Sequence, residues 1–168
     1  TGLGMPAPEP TLEAVAMEPS PALSQVGQVW PGDGRMVGIV MDENDDVAAV
    51  RDAIFAAGMV PNIIAAHGGK VAGLPVQRTF ATARSVEFDA VLLAGCPAPA
   101  PDALPNRDAK AGADAAPGLD PRVQLLVEEC WRHAKVIGAW GAGQQVLDLA
   151  GIAGAPGVVG GEDATAVL

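Results

Sequence analysis

The sequence predicts a three-layer α/β sandwich with a mainly parallel sheet, preceded by a Pro-rich linker. Two observations carry this. Short apolar runs alternate with segments whose apolar residues recur at helical spacing, the strand-helix-strand order of a three-layer fold. The runs themselves are apolar throughout rather than alternating, as strands buried on both faces must be.

Residues 1–34 read as the linker, because Pro6, Pro8, Pro10, Pro19, Pro21 and Pro31 break any helix longer than Leu12–Met17. The bland reading is a flexible tether. The alternative is an ordered arm anchored by Leu23, Val26, Val29 and Trp30. The pattern changes at Arg35, so residues 35–168 are expected to form the folded domain. Met36–Met41 is the first buried strand. Asp42–Asp46 is an acidic turn that suits a helix dipole, and Val47, Val50, Ile54 and Phe55 then recur at helical spacing up to Gly58, the expected C-cap. Val60–Ala66 is a second strand, and Val71–Thr79 is expected to give small accessory strands. Phe88–Ala94 is a third buried strand, and Pro97–Leu119 a long Ala/Pro/Asp-rich loop. Asp120 and Pro121 open a helix as N-cap and first-turn proline, with Val123, Leu126, Val127 and Cys130 on its apolar face. Val136–Trp140 is the fourth strand, Gln144–Ala150 a short helix and Gly157–Val159 the fifth strand. Leu168 falls in what reads as the first turn of a further helix, so the domain is expected to lack its last helix. The chain opens with Thr rather than Met, which suggests a fragment of something longer.

Composition narrows the function. With 168 residues, about one domain, and 49% hydrophobic content, a sizeable core is expected. A net charge of −10 excludes nucleic acid, whose phosphates need Lys and Arg, and disfavours an anionic membrane surface. The apolar runs are far too short to span a bilayer, and the opening residues lack a signal peptide's basic start and apolar stretch, so a cytoplasmic protein is expected. The two cysteines, Cys96 and Cys130, define neither a disulfide framework nor a metal cluster and are expected to be free thiols.

Ligands of open parallel sheets bind beyond the carboxyl ends of the strands. After the first strand four carboxylates would repel a phosphate. Asp42, Asn44 and Asp46 alternate like calcium ligands, but Val47 and Ala53 stand where that loop needs Gly and Glu. After the third strand Cys96 is a weak candidate nucleophile without an evident cation to activate it. Cys130 reads as buried packing. His67, in a Gly-rich turn, and His133, at the far end of the sheet, read as surface or packing residues rather than catalysts. The informative segment is Lys135–Leu147: a strand, a turn of small residues and a helix, the shape of a nucleophile elbow. A working elbow holds Ser or Cys at its apex beside a base. Here the turn is Gly141-Ala142-Gly143, with neither.

These elbow residues resemble the PfpI-like superfamily, relatives of the class I glutamine amidotransferases. The match runs through Lys135, Gly143, Gln145 and Leu147, with the family's Cys at Gly141 and its His at Ala142. Phe88–Gly95 is similar to the family's strand and glycine-lined oxyanion region, and Asp46 falls near the family's acidic partner of the cysteine. The resemblance implies a flavodoxin-like sandwich whose elbow is degenerate and whose Asp46 is a vestigial acid. Gly2–Pro8 resembles the stretch that closes the core of large-subunit catalases, where a Pro-rich linker leads to a degenerate PfpI-like domain of this size. Asp120-Pro121-Arg122 and Trp140–Gly143 are similar to the actinobacterial branch of that group. The second resemblance implies a non-catalytic auxiliary domain that supports stability and assembly, narrows substrate entry and acts as a holdase-type chaperone. Its partners would be the catalase core, neighbouring subunits of a homotetramer and unfolded clients. Haem and hydrogen peroxide decomposition would belong to the parent, whose core needs a proximal Tyr, and this chain has none; no cofactor is expected here. The alternative is a free-standing PfpI-like thiol hydrolase or deglycase using Cys96. A flavodoxin-like small-molecule sensor is a third reading, disfavoured by the acidic first turn.

Overall fold

The computed structural model describes residues 20–22, 24, 27, 29, 31–98 and 118–167. The predicted helix Leu12–Met17, the anchors Leu23, Val26 and Trp30, most of the Pro97–Leu119 loop and Leu168 lie outside the described residues. The chain divides into two units, Thr1–Pro31 and Gly32–Leu168. In the first, Ser24 N donates to Ser20 O at 2.8 Å and Val29 is exposed.

The second unit is the α/β sandwich. Its elements run β1 (Met36–Val40), α1 (Ala48–Ala56), β2 (Val60–Ala65), β3 (Gly69–Val71), β4 (Leu74–Val76), β5 (Arg78–Thr79), β6 (Ala90–Leu93), α2 (Pro121–Arg132), β7 (Val136–Trp140), α3 (Gln144–Leu149) and β8 (Val158–Gly161). Six strands form one sheet in the order β5-β2-β1-β6-β7-β8, with every pairing parallel, and β3 and β4 form a separate antiparallel hairpin. Because the sheet is parallel, the strands share a starting pole and an ending pole.

Both faces of the sheet are buried, which explains the continuous apolar runs. On one side Val37, Ile39, Met41, Ile63 and Leu92 meet Val50 and Ile54 of α1. On the other, Val40, Ile64, Val91, Leu93, Ile137 and Ala139 meet Val123, Leu126, Val127 and Cys130 of α2 and Val146 and Leu147 of α3. Asp120 caps α2 as expected: its carboxylate accepts from the Arg122 backbone N–H at 2.9 Å and from the Arg122 guanidinium at 2.8 and 3.0 Å.

Several boundaries differ from the sequence reading. The acidic turn ends before α1, whose first turn holds no acid, so the dipole argument applies only to Asp46, which accepts from Ala48 N at 3.2 Å. Ala57 caps that helix and Gly58 follows it with φ +81°. Phe88 is buried but precedes β6, closing a 3-10 turn over Ser85–Glu87. Arg78–Thr79 is not an accessory piece: it joins the main sheet beside β2. After β8 the described chain makes a 3-10 turn at Ala164–Ala166, where an α-helical turn was expected.

Candidate functional site

The elbow forms between β7 and α3. Trp140 is extended, Gly141 turns with φ +53°, and Gly141–Gly143 wind a single 3-10 turn into the helix. Two glycines here do different work. A Cβ on Gly143 would collide with the Leu93 carbonyl oxygen, so only glycine lets α3 start this close to β6. A Cβ on Gly141 would meet nothing within 4 Å; its constraint is the left-handed φ alone. The apex therefore has the backbone and the free space of a nucleophile's seat. Gly141 and Ala142 are exposed and carry no group that could attack or transfer a proton. At the helix start Gln144 Nε2 donates to Gly161 O at 2.8 Å, fastening α3 to β8.

The strand order reverses between β1 and β6, and a crevice at such a switch point is where open α/β sheets take ligands. Here the protein fills it. The Asp45 carboxyl lies against the Cα of Gly95, so a Cβ there would strike Asp45 Oδ2. The same carboxylate accepts from Asp42 N at 2.8 Å. Burial pushes the Asp45 carboxyl above the usual carboxylate value; the Asp42 amide pulls it down and the Asp42 charge pushes it up. The acid turned towards the Gly95–Cys96 loop is thus Asp45, whereas Asp46, predicted as the vestigial partner, is exposed and engaged with the Ala48 amide. The one-residue difference decides which way a carboxylate points in a tight turn, and sequence spacing carries no signal for it.

Cys96 sits at the exit of β6, partly buried against the core. Burial raises its thiol, and the Asp42 charge raises it further, the reverse of what activates a cysteine. Pro97 O accepts from Asp120 N at 2.8 Å, which draws the α2 cap beside it, and the Arg122 guanidinium at that cap binds the Asp120 carboxylate. Cys130 is fully buried in α2 and its thiol is pushed up to about 12, mainly by burial.

The two histidines lie on other elements than the elbow. His67 is exposed in the turn after β2. His133 caps α2 at the starting pole, where its Nδ1 hydrogen-bonds Ser85 Oγ at 2.9 Å; the same hydroxyl reaches Glu129 Oε2 at 3.4 Å. This buried serine was not singled out from the sequence, since a lone Ser in a loop carries no pattern. Among the described residues no group of three or more His, Cys, Asp or Glu converges as a metal site would require. Among the described residues no helix is long and apolar enough to cross a membrane.

Fold and site together define an α/β sandwich with a parallel six-strand sheet whose strand-to-helix turn has glycine at the apex. Residues 33–168 match the family described as the C-terminal domain found in long catalases, and the chain belongs to that family. It is 32% identical over 162 residues to a catalase HPII of Mycobacterium avium, covering 89% of this chain and 21% of that protein. It is 31% identical over 173 residues to a catalase HPII of Pseudomonas aeruginosa, covering 97% of this chain and 21% of that one. The chain thus spans about a fifth of the length of these relatives. Among solved structures, a two-domain protein of Anabaena variabilis with DJ-1/ThiJ/PfpI-like and ferritin-like domains is similar in fold. Its TM-score is 0.50 at 17% identity, covering 69% of this chain and 32% of that one.

Proposed function

We propose that this chain is a non-catalytic auxiliary domain of a cytoplasmic long catalase, supporting the stability and assembly of a homotetramer whose haem core decomposes hydrogen peroxide. The observation that carries the reading is the elbow. Its left-handed apex is Gly141, where an added Cβ would meet open space, and Gly141, Ala142 and Gly143 carry no side chain that can serve as nucleophile or base. Covalent catalysis at such a turn needs both. The raised Cys96 thiol counts against a displaced thiol enzyme, because the attacking species is the thiolate.

The test is turnover. The 168-residue chain is assayed with p-nitrophenyl acetate, a casein peptide and a methylglyoxal-modified thiol, and the expected rates equal those of buffer. A turnover that Cys96→Ser abolishes would replace this reading with the thiol hydrolase. A holdase activity belongs to the same proposal, since a net charge of −10 keeps a complex with an unfolded client soluble. Its check is light scattering of a heat-labile protein with and without the chain, against an inert acidic protein. Equal scattering in both removes the holdase role and leaves the structural one.

A further inference from the structure

We infer that the starting pole of the sheet is the surface through which this domain docks on the preceding part of a long catalase, an inference that rests on the auxiliary-domain reading. Large apolar side chains are exposed there in number. Phe55 in the last turn of α1 is 73% exposed, Val86 ahead of β6 76%, Trp131 in the last turn of α2 45% and Val136 at the start of β7 51%. Val60 at the start of β2 and Leu149 at the end of α3 add to them. The topology places all six at one pole, because strands begin there and the returning helices end there. Among the described residues of this unit, the other two large exposed hydrophobics, Leu125 and Val159, lie on the α2 surface and the β8 edge. Among the described residues the ending pole is built differently, with Asp42, Glu43, Asp45, Asp46, Glu162 and Asp163 after the strands.

A concentration of exposed apolar side chains marks an interaction surface, and a partly exposed Trp is the residue type that most often anchors one. The surface is also held ready. Ser85 is 2% exposed, and its bonds to His133 and Glu129 clip the turn carrying Val86 to the end of α2. The occupant follows from the connection of the chain. Gly32–Arg35 leads into β1 at this same pole, fixed by Gly34 N donating to Gly58 O at 2.9 Å and by the Arg35–Asp89 ion pair at 3.1 Å. In a domain that is the C-terminal fifth of a long protein, everything preceding it is joined at this point. The tether raises the effective concentration of that partner at the apolar pole above that of any free protein.

The experiment puts this chain in place of the matched segment of the Mycobacterium avium relative and compares three proteins: the unaltered chimera, Trp131→Lys/Val136→Lys, and Glu43→Lys/Glu162→Lys at the opposite pole. Each variant is also made in the isolated chain, where both pairs, being exposed, should leave the melting temperature unchanged. In the chimera the Trp131/Val136 pair should shorten the half-life at elevated temperature on the order of tenfold, as loss of an aromatic anchor does, and the Glu pair should not. A photo-crosslinker at Val86 should capture peptides of the catalase part, and one at Glu43 should not. Crosslinks and destabilisation from the Glu43 pole instead would overturn this surface and leave the auxiliary-domain reading intact. No crosslinks from either pole, or a chimera that fails to assemble while the isolated chain folds, would sink that reading itself.

Discussion

The two poles of the sheet carry different kinds of information. At the ending pole the backbone has the form of an active site: a left-handed elbow, a glycine-lined strand exit and a switch-point crevice. Its side chains do not follow: Gly141 and Ala142 stand at the apex, and Asp45 occupies the crevice. At the starting pole the backbone is ordinary, and the side chains are unusual, with a buried serine clip and six exposed apolar groups. The difference teaches that an elbow's shape and its chemistry are held by separate residues. Shape depends on Gly143, whose contact with the Leu93 carbonyl sets the strand-to-helix approach. Chemistry would depend on the apex side chain, whose removal relaxes the turn instead of breaking it. A reactive-looking backbone is therefore weak evidence of reaction by itself.

Gly143→Ala should break the comparison most severely. The added methyl meets a strand carbonyl that cannot swing aside as a side chain would, so overpacking of roughly 3 kcal/mol is expected. The measurement is a urea transition of the chain: an unchanged midpoint would mean that α3 can shift away from β6 freely and that the elbow is not held by packing. Gly141→Cys sharpens the other half. Its Cβ enters open space and the cost is the left-handed conformation, about 1 kcal/mol. The new thiol should alkylate with iodoacetamide but should not turn over an ester, because Ala142 offers no base. Multiple turnover by Gly141→Cys alone would show that the pole keeps more catalytic machinery than its side chains suggest.

How much of this was legible in the sequence depended on which residues make the element. Strands β1, β2, β6 and β7 announce themselves because double-sided burial demands apolar runs, and α2 because Asp120-Pro121 is a start signal with a mechanism. Arg78–Thr79 is a strand only through its backbone bonds beside Ile64 and Ala65, and two polar side chains give no periodicity to read. Gly160 and Gly161 extend β8 for the same reason, one of their carbonyls being taken by Gln144. At the site, the run of small residues between strand and helix made the turn from β7 into α3 readable. The exchange of Asp46 for Asp45 in the crevice was not readable, since adjacent acids are equivalent in composition and differ only in the turn's dihedral angles. The gathering of large exposed apolar side chains at one pole and of several carboxylates at the other emerges only once the topology is known.

The thiols give an intermediate effect. Both cysteines should titrate with a disulfide reagent in denaturant, two per chain. In the folded protein Cys130 should stay silent and Cys96 should react more slowly than a free thiol at the same pH, because burial raises both. The linkage has a sign. In the unfolded chain these thiols ionise near 9, in the fold higher, so the fold retains protons that the unfolded chain has lost and stability falls as pH rises from about 9 towards 12. A melting temperature that rises over that range would contradict the burial of Cys130.

The smallest effect expected is at Asp45. Its carboxyl ionises above the model-compound value of 3.8, chiefly because burial penalises the charge. The folded state therefore holds its proton more tightly than the unfolded state, and the fold loses stability as pH rises from about 4 through the raised value. Asp45→Asn removes that charge and its repulsion with Asp42 while keeping an oxygen to accept from the Asp42 amide. The variant should gain stability at pH 7, by less than about 1 kcal/mol because the group is only partly buried and solvent screens it. The gain should vanish at pH 3, where the wild-type carboxyl is protonated. Urea transitions of the two proteins at pH 3 and pH 7 make the comparison. A variant less stable than wild type at pH 7 would mean that the carboxylate holds the crevice shut by its charge, and that the ending pole is kept closed by electrostatics rather than by filling space.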